Sequence, residues 1–192
     1  MPLPRFLRLD EAERSRILMS AAEQLATTDY SEVSMERIAS AAGISRSAMY
    51  NYFDGREDLV AAVREHAVSL ARAALGEWVR TEQERDFWQS FSAAEERLRA
   101  FLAANPALRS ALASRGDQGS HDEWVDALVA NAAELGLVPI GRELLAAAVT
   151  SGLLAALDSL ELQKPGAVPD RAGKFLLLAA WAALDKVATP KA

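Results

Sequence analysis

Several residues between positions 46 and 56 have side chains suited to contact with nucleic acid. They are Arg46, Ser47, Ala48, Tyr50, Tyr52 and Arg56. An arginine such as Arg46 can donate two hydrogen bonds to the edge of a guanine or bind a phosphate. The tyrosine hydroxyls and Arg56 suit phosphate oxygens, which fix the register of a protein on a duplex. Ser47 and Ala48 are small and would allow close approach to a groove. This segment therefore predicts a contact surface for double-stranded DNA.

Two short helices on either side of a glycine would position these side chains. In the first, apolar residues recur at i, i+3, i+4 and i+7: Met35, Ile38, Ala39 and Ala42. Ser34 precedes this stripe as an N-cap, and Gly43 follows it, where a helix commonly ends in left-handed backbone. Ser45 caps the second helix, in which Met49 and Phe53 share the buried face. The pattern predicts a helix-turn-helix whose second helix presents its first turn to the major groove, with both serine caps facing phosphates.

The string IASAAGISRSAMYNYFDGREDLVAAV, residues 38–63, resembles the DNA-binding domain of the TetR family of bacterial transcription regulators. The matches to the family signature are Ile38, Ala39, Ala42, Gly43, Ile44, Ser45, Ser47, Ala48, Tyr50, Tyr52, Phe53, Arg56, Glu57 and Leu59. Met49, Arg56 and Ser34 replace the more usual Leu or Ile, Lys and Thr. Arg37 occupies a position where the family often has an acid, which would alter a surface ion pair.

The resemblance covers only the first third of the chain, and it implies a particular fold and function. The implied fold is all-α: a three-helix DNA-binding domain at residues 1–55, then a helical effector-binding and dimerisation domain at 56–192, with about nine helices. The implied function is a homodimeric regulator, most often a repressor, that binds a pseudo-palindromic operator and responds to a small-molecule effector. A long helix from Arg56 to about Glu82 would join the two domains rigidly. Pro2 and Pro4 predict an extended arm at residues 1–9, and a disordered tail is an alternative of at least equal weight.

The charge balance is unfavourable for binding DNA through a global field. The net charge is −6, and residues 1–66 contain eight arginines and eleven Asp or Glu, a local net charge of −3. Binding must therefore depend on local cations, namely Arg5 and Arg8 in the arm with Arg46 and Arg56 in the motif, and should be strongly salt-sensitive. The alternative is a helical ligand-binding protein that keeps the helix-turn-helix as a scaffold.

The composition gives little support for an enzyme. There is no cysteine, and the two histidines, His66 and His121, are far apart in the sequence. No Gly-rich phosphate loop and no carboxylate pair in a defined context is present. We therefore expect no catalytic residue, no metal site and no cofactor. The longest unbroken apolar run, Phe175 to Leu184, is too short to span a membrane, and the N-terminus lacks a secretion signal, so the expected location is the cytoplasm.

Aromatic residues cluster in the second part of the chain. The candidate contacts for a flat or apolar effector are Trp78, Trp88, Phe91, Phe101, His121 and Trp124. Aromatic residues also simply fill the core of small helical domains, and this alternative carries equal weight.

The last two predicted helices, Arg142–Leu162 and Arg171–Val187, are apolar on nearly all sides. Such helices must be buried on all sides, and a second copy of the chain would supply the missing cover. The candidate dimer contacts are Leu145, Val149, Gly152, Leu153, Ala156, Leu160, Phe175, Leu178 and Trp181. The alternative is a helix enclosed entirely within a monomer.

Overall fold

The computed structural model describes residues 1–27, 34–113 and 123–186, and within these ranges the regular structure is entirely α-helical. The helices are α1 (Pro4–Leu7), α2 (Glu11–Thr27), α3 (Met35–Ala41), α4 (Arg46–Tyr52), α5 (Arg56–Leu75), α6 (Glu84–Ala104), α7 (Pro106–Ala113), α8 (Glu123–Glu134), α9 (Glu143–Gln163) and α10 (Ala172–Leu184). The all-α fold is confirmed. The described residues contain α1 in addition to the helices that were expected.

The helix-turn-helix consists of α3 and α4, and its local geometry follows from the predicted capping residues. Ser34 accepts a hydrogen bond from the Arg37 N–H (3.2 Å), which satisfies a free amide in the first turn of α3. Gly43 has φ +64°, a left-handed conformation that costs glycine little. The guanidinium of Arg16 in α2 donates to the carbonyl of Ala42 and holds the turn against the preceding helix.

The first compact unit comprises the described residues of Met1–Ala74 and Leu98–Arg115. Fully buried side chains from five helices form its core: Ile17, Ile38, Met49, Phe53, Leu59 and Leu108. The unit is therefore larger than the predicted domain of residues 1–55, because α5 and α7 supply part of the core. In particular, α7 packs closely against α2, a pairing between residues about ninety positions apart that no local pattern signals.

The N-terminal segment is folded onto the end of α4, so the prediction of an extended arm was wrong. Pro4 begins the short helix α1, where its missing N–H costs nothing. The Leu3 N–H donates to the Tyr52 carbonyl (2.8 Å), and Phe6 is buried with its ring centroid 4.7 Å from that of Phe53. Arg5 and Arg8 are exposed on this docked segment.

Helix α5 is shorter than predicted, because it ends at Leu75 rather than near Glu82. Gly76 follows with φ +78°, which breaks the helical path. The Arg97 guanidinium donates to the Leu75 carbonyl (2.7 Å), satisfying one of the acceptors that a helix end leaves free. The continuous rigid connector that the sequence predicted is therefore interrupted at Gly76.

The second unit comprises Leu75–Arg97 and the described part of Gly116–Ala192. Its core contains aromatic residues of α6 and Trp181 of α10, packed against aliphatic residues of α8, α9 and α10. Helix α9 contacts both α8 and α10. Buried Trp181 in α10 donates from Nε1 to buried Thr150 Oγ1 in α9 (3.0 Å), which ties these two helices together.

Candidate nucleic-acid interface

The first turn of α4 is pre-formed and solvent-accessible. Ser45 caps the helix by accepting from the Ala48 N–H (3.1 Å), and its hydroxyl lies 3.0 Å from that of Ser47. Met49, on the opposite side of the helix, is fully buried in the core of the first unit. Burial of one side fixes the helical phase, so Arg46, Ser47 and Tyr50 are directed to solvent. This arrangement suits the insertion of one helix face into a groove.

Arg46 is the principal cation of this surface, and two neighbours flank it. Its guanidinium lies 3.5 Å from the Glu36 carboxylate of α3, an exposed ion pair in which the arginine side chain is 65% exposed. On its own helix the guanidinium lies 5.9 Å from the centroid of the Tyr50 ring, within the range of a cation–π contact. Both contacts are at the surface, so the guanidinium is accessible to a ligand.

The other predicted DNA contacts differ in accessibility. Ser34, at the start of α3, is exposed, whereas Ala48 and Arg56 are half-buried. Tyr52 is also half-buried, and its ring lies 6.0 Å from that of Phe6. Tyr52 therefore serves in part to anchor the N-terminal segment, which the sequence pattern did not indicate.

Four of the aromatic residues proposed as effector contacts, Trp78, Trp88, Phe91 and Trp124, pack together in the second unit, whereas Phe101 does not. Trp88 and Phe91 are buried in a chain of packed rings, with centroids 5.8 Å apart and nearly perpendicular planes. Phe101 packs in the core of the first unit, so its assignment to a shared aromatic site is corrected. Trp78 and Trp124 are partly buried and stand edge to face, with centroids 5.5 Å apart. His121 lies outside the described residues.

Asn131 is a structural residue that the sequence reasoning missed. It is almost fully buried in α8, and its side-chain oxygen accepts from the Trp78 indole (3.2 Å) and from the N–H (2.8 Å) and hydroxyl (3.2 Å) of Thr81. Its amide donates in turn to the Thr81 carbonyl (2.8 Å). An Asn in an otherwise apolar helical stripe was the available signal. The network holds the segment after α5 against α8.

The proposed dimer contacts divide into an exposed group and a buried group. Leu145, Gly152, Ala156, Leu160 and Phe175 are exposed on α9 and α10. Val149, Leu153 and Leu178 are half-buried against the core of the second unit. Trp181 is fully buried within the same chain, so its assignment to a subunit interface is corrected.

The exposed group belongs to a larger apolar surface. On α9 the sequence reasoning missed Leu144 and Ala148, and on α10 it missed Leu176, Ala179 and Ala182, all of them exposed. We call these exposed apolar residues of both helices the α9–α10 face. Together with the α4 surface it defines the class of the chain: a helix-turn-helix protein with a separate helical unit that carries an uncovered apolar face.

Comparisons with known proteins show which family the N-terminal part of the chain resembles. Residues 17–63 match the model of the bacterial regulatory proteins of the tetR family, a segment that contains both helices of the helix-turn-helix. No curated protein gives a significant match.

Solved structures with the same fold cover most of the chain. A TetR-family transcriptional regulator from Haemophilus influenzae superposes with a TM-score of 0.63 and 17% identity over 90% of this chain and 96% of its own. One from Streptomyces coelicolor has a TM-score of 0.59 and 23% identity, covering 90% and 83%. A TetR-family protein from Vibrio parahaemolyticus gives 0.56 and 17%, covering 89% and 97%. Residues 17–63 are therefore similar to the N-terminal domain of the tetR-family regulators, and the chain shares the overall fold of these solved structures.

Proposed function

We propose that the protein is a homodimeric transcriptional repressor of the cytoplasm that binds a pseudo-palindromic operator with two copies of α4. The observation that carries the proposal is the outward face of α4, where Arg46 and Tyr50 remain 65% and 49% exposed in a capped helix. Ser45 and Ser47 add exposed hydroxyls beside them. Arginine, serine and tyrosine on the first turns of such a helix provide both base-edge and phosphate contacts.

The α9–α10 face supports the homodimer. Leu144 is 76% exposed and Phe175 is 64% exposed, and between them α9 presents the small residues Ala148, Gly152 and Ala156 along one side. A contiguous apolar surface of this kind on a soluble protein marks an interaction site. Helix α9 is also long and apolar enough to cross a membrane by length and composition, and only a small part of it is buried within the chain. A second copy packed on this face would remove the apolar surface from water.

A dimer also matches the geometry of an operator. Two recognition helices related by a two-fold axis enter successive major grooves about 34–36 Å apart, which requires a pseudo-palindromic sequence. Two subunits double the number of phosphate contacts, which matters for a first unit with few cations. The dimer thus compensates for the acidic charge balance.

We further propose that a small apolar or aromatic effector binds the second unit and releases the operator. The partly buried, edge-to-face pair of Trp78 and Trp124 supports this assignment, since both rings keep accessible surface beside the aromatic core. An effector that prefers a dimer with the wrong spacing of recognition helices would weaken operator binding, and the operator would equally weaken effector binding.

The experiment that tests the proposal is selection of bound sequences from a random duplex pool at low salt. Enrichment of a pseudo-palindrome by a folded dimer is the expected result. Arg46→Ala should then weaken binding to that operator by about 1–3 kcal/mol and relax its base preference. Arg85→Ala, which removes an exposed arginine of the second unit, is the matched control and should leave binding unchanged. A folded dimer that enriches no sequence would overturn the proposal.

A further inference from the structure

We propose that Glu36 is a specificity-determining residue that acts by positioning the Arg46 guanidinium. The inference rests on the proposed role of α4 in reading DNA, and it assigns a function to an acid that belongs to the other helix of the motif. Glu36 lies in the first turn of α3, and its carboxylate oxygen Oε2 is 3.5 Å from Arg46 Nη1. An acid beside the main reading cation is unexpected in a surface that binds a polyanion.

The contacts around Arg46 restrict its guanidinium from two sides. Glu36 accepts a hydrogen bond from one end of the fork, and the Tyr50 ring lies 5.9 Å from the central carbon. A free arginine side chain loses rotamer entropy when it is ordered. Partial ordering before binding lowers that cost for a partner that needs one orientation. A base edge is such a partner, because bidentate readout of guanine depends on the direction of the fork.

Phosphates are a different kind of partner. Nonspecific binding depends on the number of phosphates that cations neutralise, with little dependence on orientation. A guanidinium that already faces a carboxylate contributes less net positive charge to the phosphate backbone. Glu36 therefore weakens binding to random duplex more than binding to an operator. In a first unit with a net charge of −3 over residues 1–66, each arginine that is partly neutralised has a measurable effect.

The ion pair contributes little to the stability of the fold, so its removal leaves the motif intact. Both side chains are largely exposed, at 65% and 69%, and exposed ion pairs typically contribute little to the stability of a fold. The Ser34 cap and the buried residues of α3 are independent of Glu36. Changes in DNA binding on substitution of Glu36 can therefore be attributed to the interface.

The test compares wild-type protein with Glu36→Gln on the selected operator and on a random duplex, across a range of salt concentrations. We expect affinity for the random duplex to rise about fivefold and the slope of log K against log salt to steepen by about 0.9, the value for one additional phosphate contact. We expect operator affinity to change by less than about twofold, so the ratio of operator to random affinity falls. Glu96→Gln, an exposed acid on α6, is the charge-matched control.

A double-mutant cycle with Arg46→Ala separates positioning from simple repulsion. In the Arg46→Ala background, Glu36→Gln should no longer change the operator-to-random ratio. An unchanged effect in that background would mean that Glu36 acts on DNA directly, and would overturn the inference. The inference would also be overturned if Glu36→Gln and Glu96→Gln changed DNA affinity by the same amount. If the wild-type protein selects no sequence, the proposed function itself is overturned. That outcome can be distinguished from the two results that overturn only the role of Glu36.

Discussion

At the scale of single residues, Asn131 shows how one buried polar side chain can fix a segment without regular structure. It makes hydrogen bonds to the backbone of Thr81 on both the donor and the acceptor side, and to the Trp78 indole. A buried amide without a hydrogen-bond partner destabilises the fold, so the Thr81 backbone and the Trp78 indole both depend on the Asn131 side chain. The tryptophan proposed as an effector contact is therefore held in place from α8.

Replacing Asn131 with Ala should destabilise the second unit by about 3 kcal/mol, because it leaves the Thr81 N–H and the Trp78 indole without an acceptor. Urea unfolding followed by tryptophan fluorescence measures the change. Thr81→Val removes only the hydroxyl contact to Asn131 and should cost about 1 kcal/mol. If the two variants lowered the free energy of unfolding equally, the hydrogen bonds between Asn131 and the Thr81 backbone would not be its main contribution to stability.

His66 supplies a pH dependence in the first unit. Its ring nitrogen lies 3.2 Å from the Ser15 hydroxyl of α2, and burial lowers the pKa of His66 below its ordinary value of 6.5, while Glu11 acts in the opposite direction. A histidine with a lowered folded-state pKa binds its proton more readily in the unfolded chain. Its contribution to stability is therefore complete above pH 6.5 and is lost as the pH falls below that value.

Wild-type protein should accordingly show a fall in the thermal midpoint of the first unit as the pH decreases below about 6.5. His66→Gln cannot titrate in this range and can still hydrogen-bond to Ser15, so its midpoint should vary less. Calorimetry at a series of pH values compares the two proteins. Parallel pH profiles would show that His66 is not the titrating group.

At the scale of elements, capping residues were the most reliable signals in the sequence. Ser34, Gly43 and Ser45 define the ends of α3 and α4 as predicted, because each acts within one turn of its own backbone. The predicted end of α5 near Glu82 was wrong, because the left-handed backbone of Gly76 ends the helix at Leu75. The docking of α1 was missed because it depends on a contact between Phe6 and α4.

The phase of α9 and α10 could not be predicted from the sequence. Both helices are apolar nearly all round, so the sequence contains no polar side to indicate which face is buried. Trp181 illustrates the consequence, since it was assigned to the interface but lies fully inside its own unit. The buried face of α9 is defined instead by Ala146, Ala147 and Thr150.

Two helical glycines lie in contrasting environments: Gly152 is on the exposed side of α9, and Gly173 is on the buried side of α10. A β-carbon at Gly152 would meet no atom within 4 Å, whereas one at Gly173 would lie 3.1 Å from Phe91 Cε1 and 3.2 Å from Glu95 Cδ. Gly152→Ala should stabilise the isolated chain by up to about 1 kcal/mol while weakening dimer association, because it blocks close helix approach. Gly173→Ala should destabilise the second unit by about 1 kcal/mol.

Thermal unfolding at several protein concentrations, together with sedimentation equilibrium, distinguishes the two effects. Gly152→Ala is expected to raise the dissociation constant of the dimer, and Gly173→Ala to lower the midpoint at every concentration. Tighter association of the Gly152→Ala variant would argue against a close contact of α9 across the interface.

At the scale of the whole molecule, the sequence predicted the fold class because the resemblance at residues 38–63 is specific to one family. It did not predict the extent of the compact units. The described residues of Leu98–Arg115 belong with the N-terminal helices, a long-range association that depends on the shape of the core rather than on local periodicity. The candidate effector contacts wrongly included Phe101 for the same reason, because Phe101 belongs to the first unit.

Introducing a charge into the α9–α10 face should separate the subunits. Phe175→Glu places a carboxylate on a residue that is 64% exposed in the chain, so the fold is retained, whereas a dimer would have to bury the charge. We expect a monomer by sedimentation and a loss of at least about tenfold in affinity for the full operator. Val79→Glu alters another exposed apolar residue and serves as the control. A dimeric Phe175→Glu protein would exclude this face as the interface.

The docked N-terminal segment has a practical consequence for protein engineering. The Leu3 amide is hydrogen-bonded to the Tyr52 carbonyl, and Phe6 is buried beside Phe53, so this part of the chain runs next to the end of α4. An affinity tag or fluorescent reporter fused ahead of Leu3 would emerge beside the surface proposed to contact DNA. Binding assays should therefore use protein from which such a fusion has been removed.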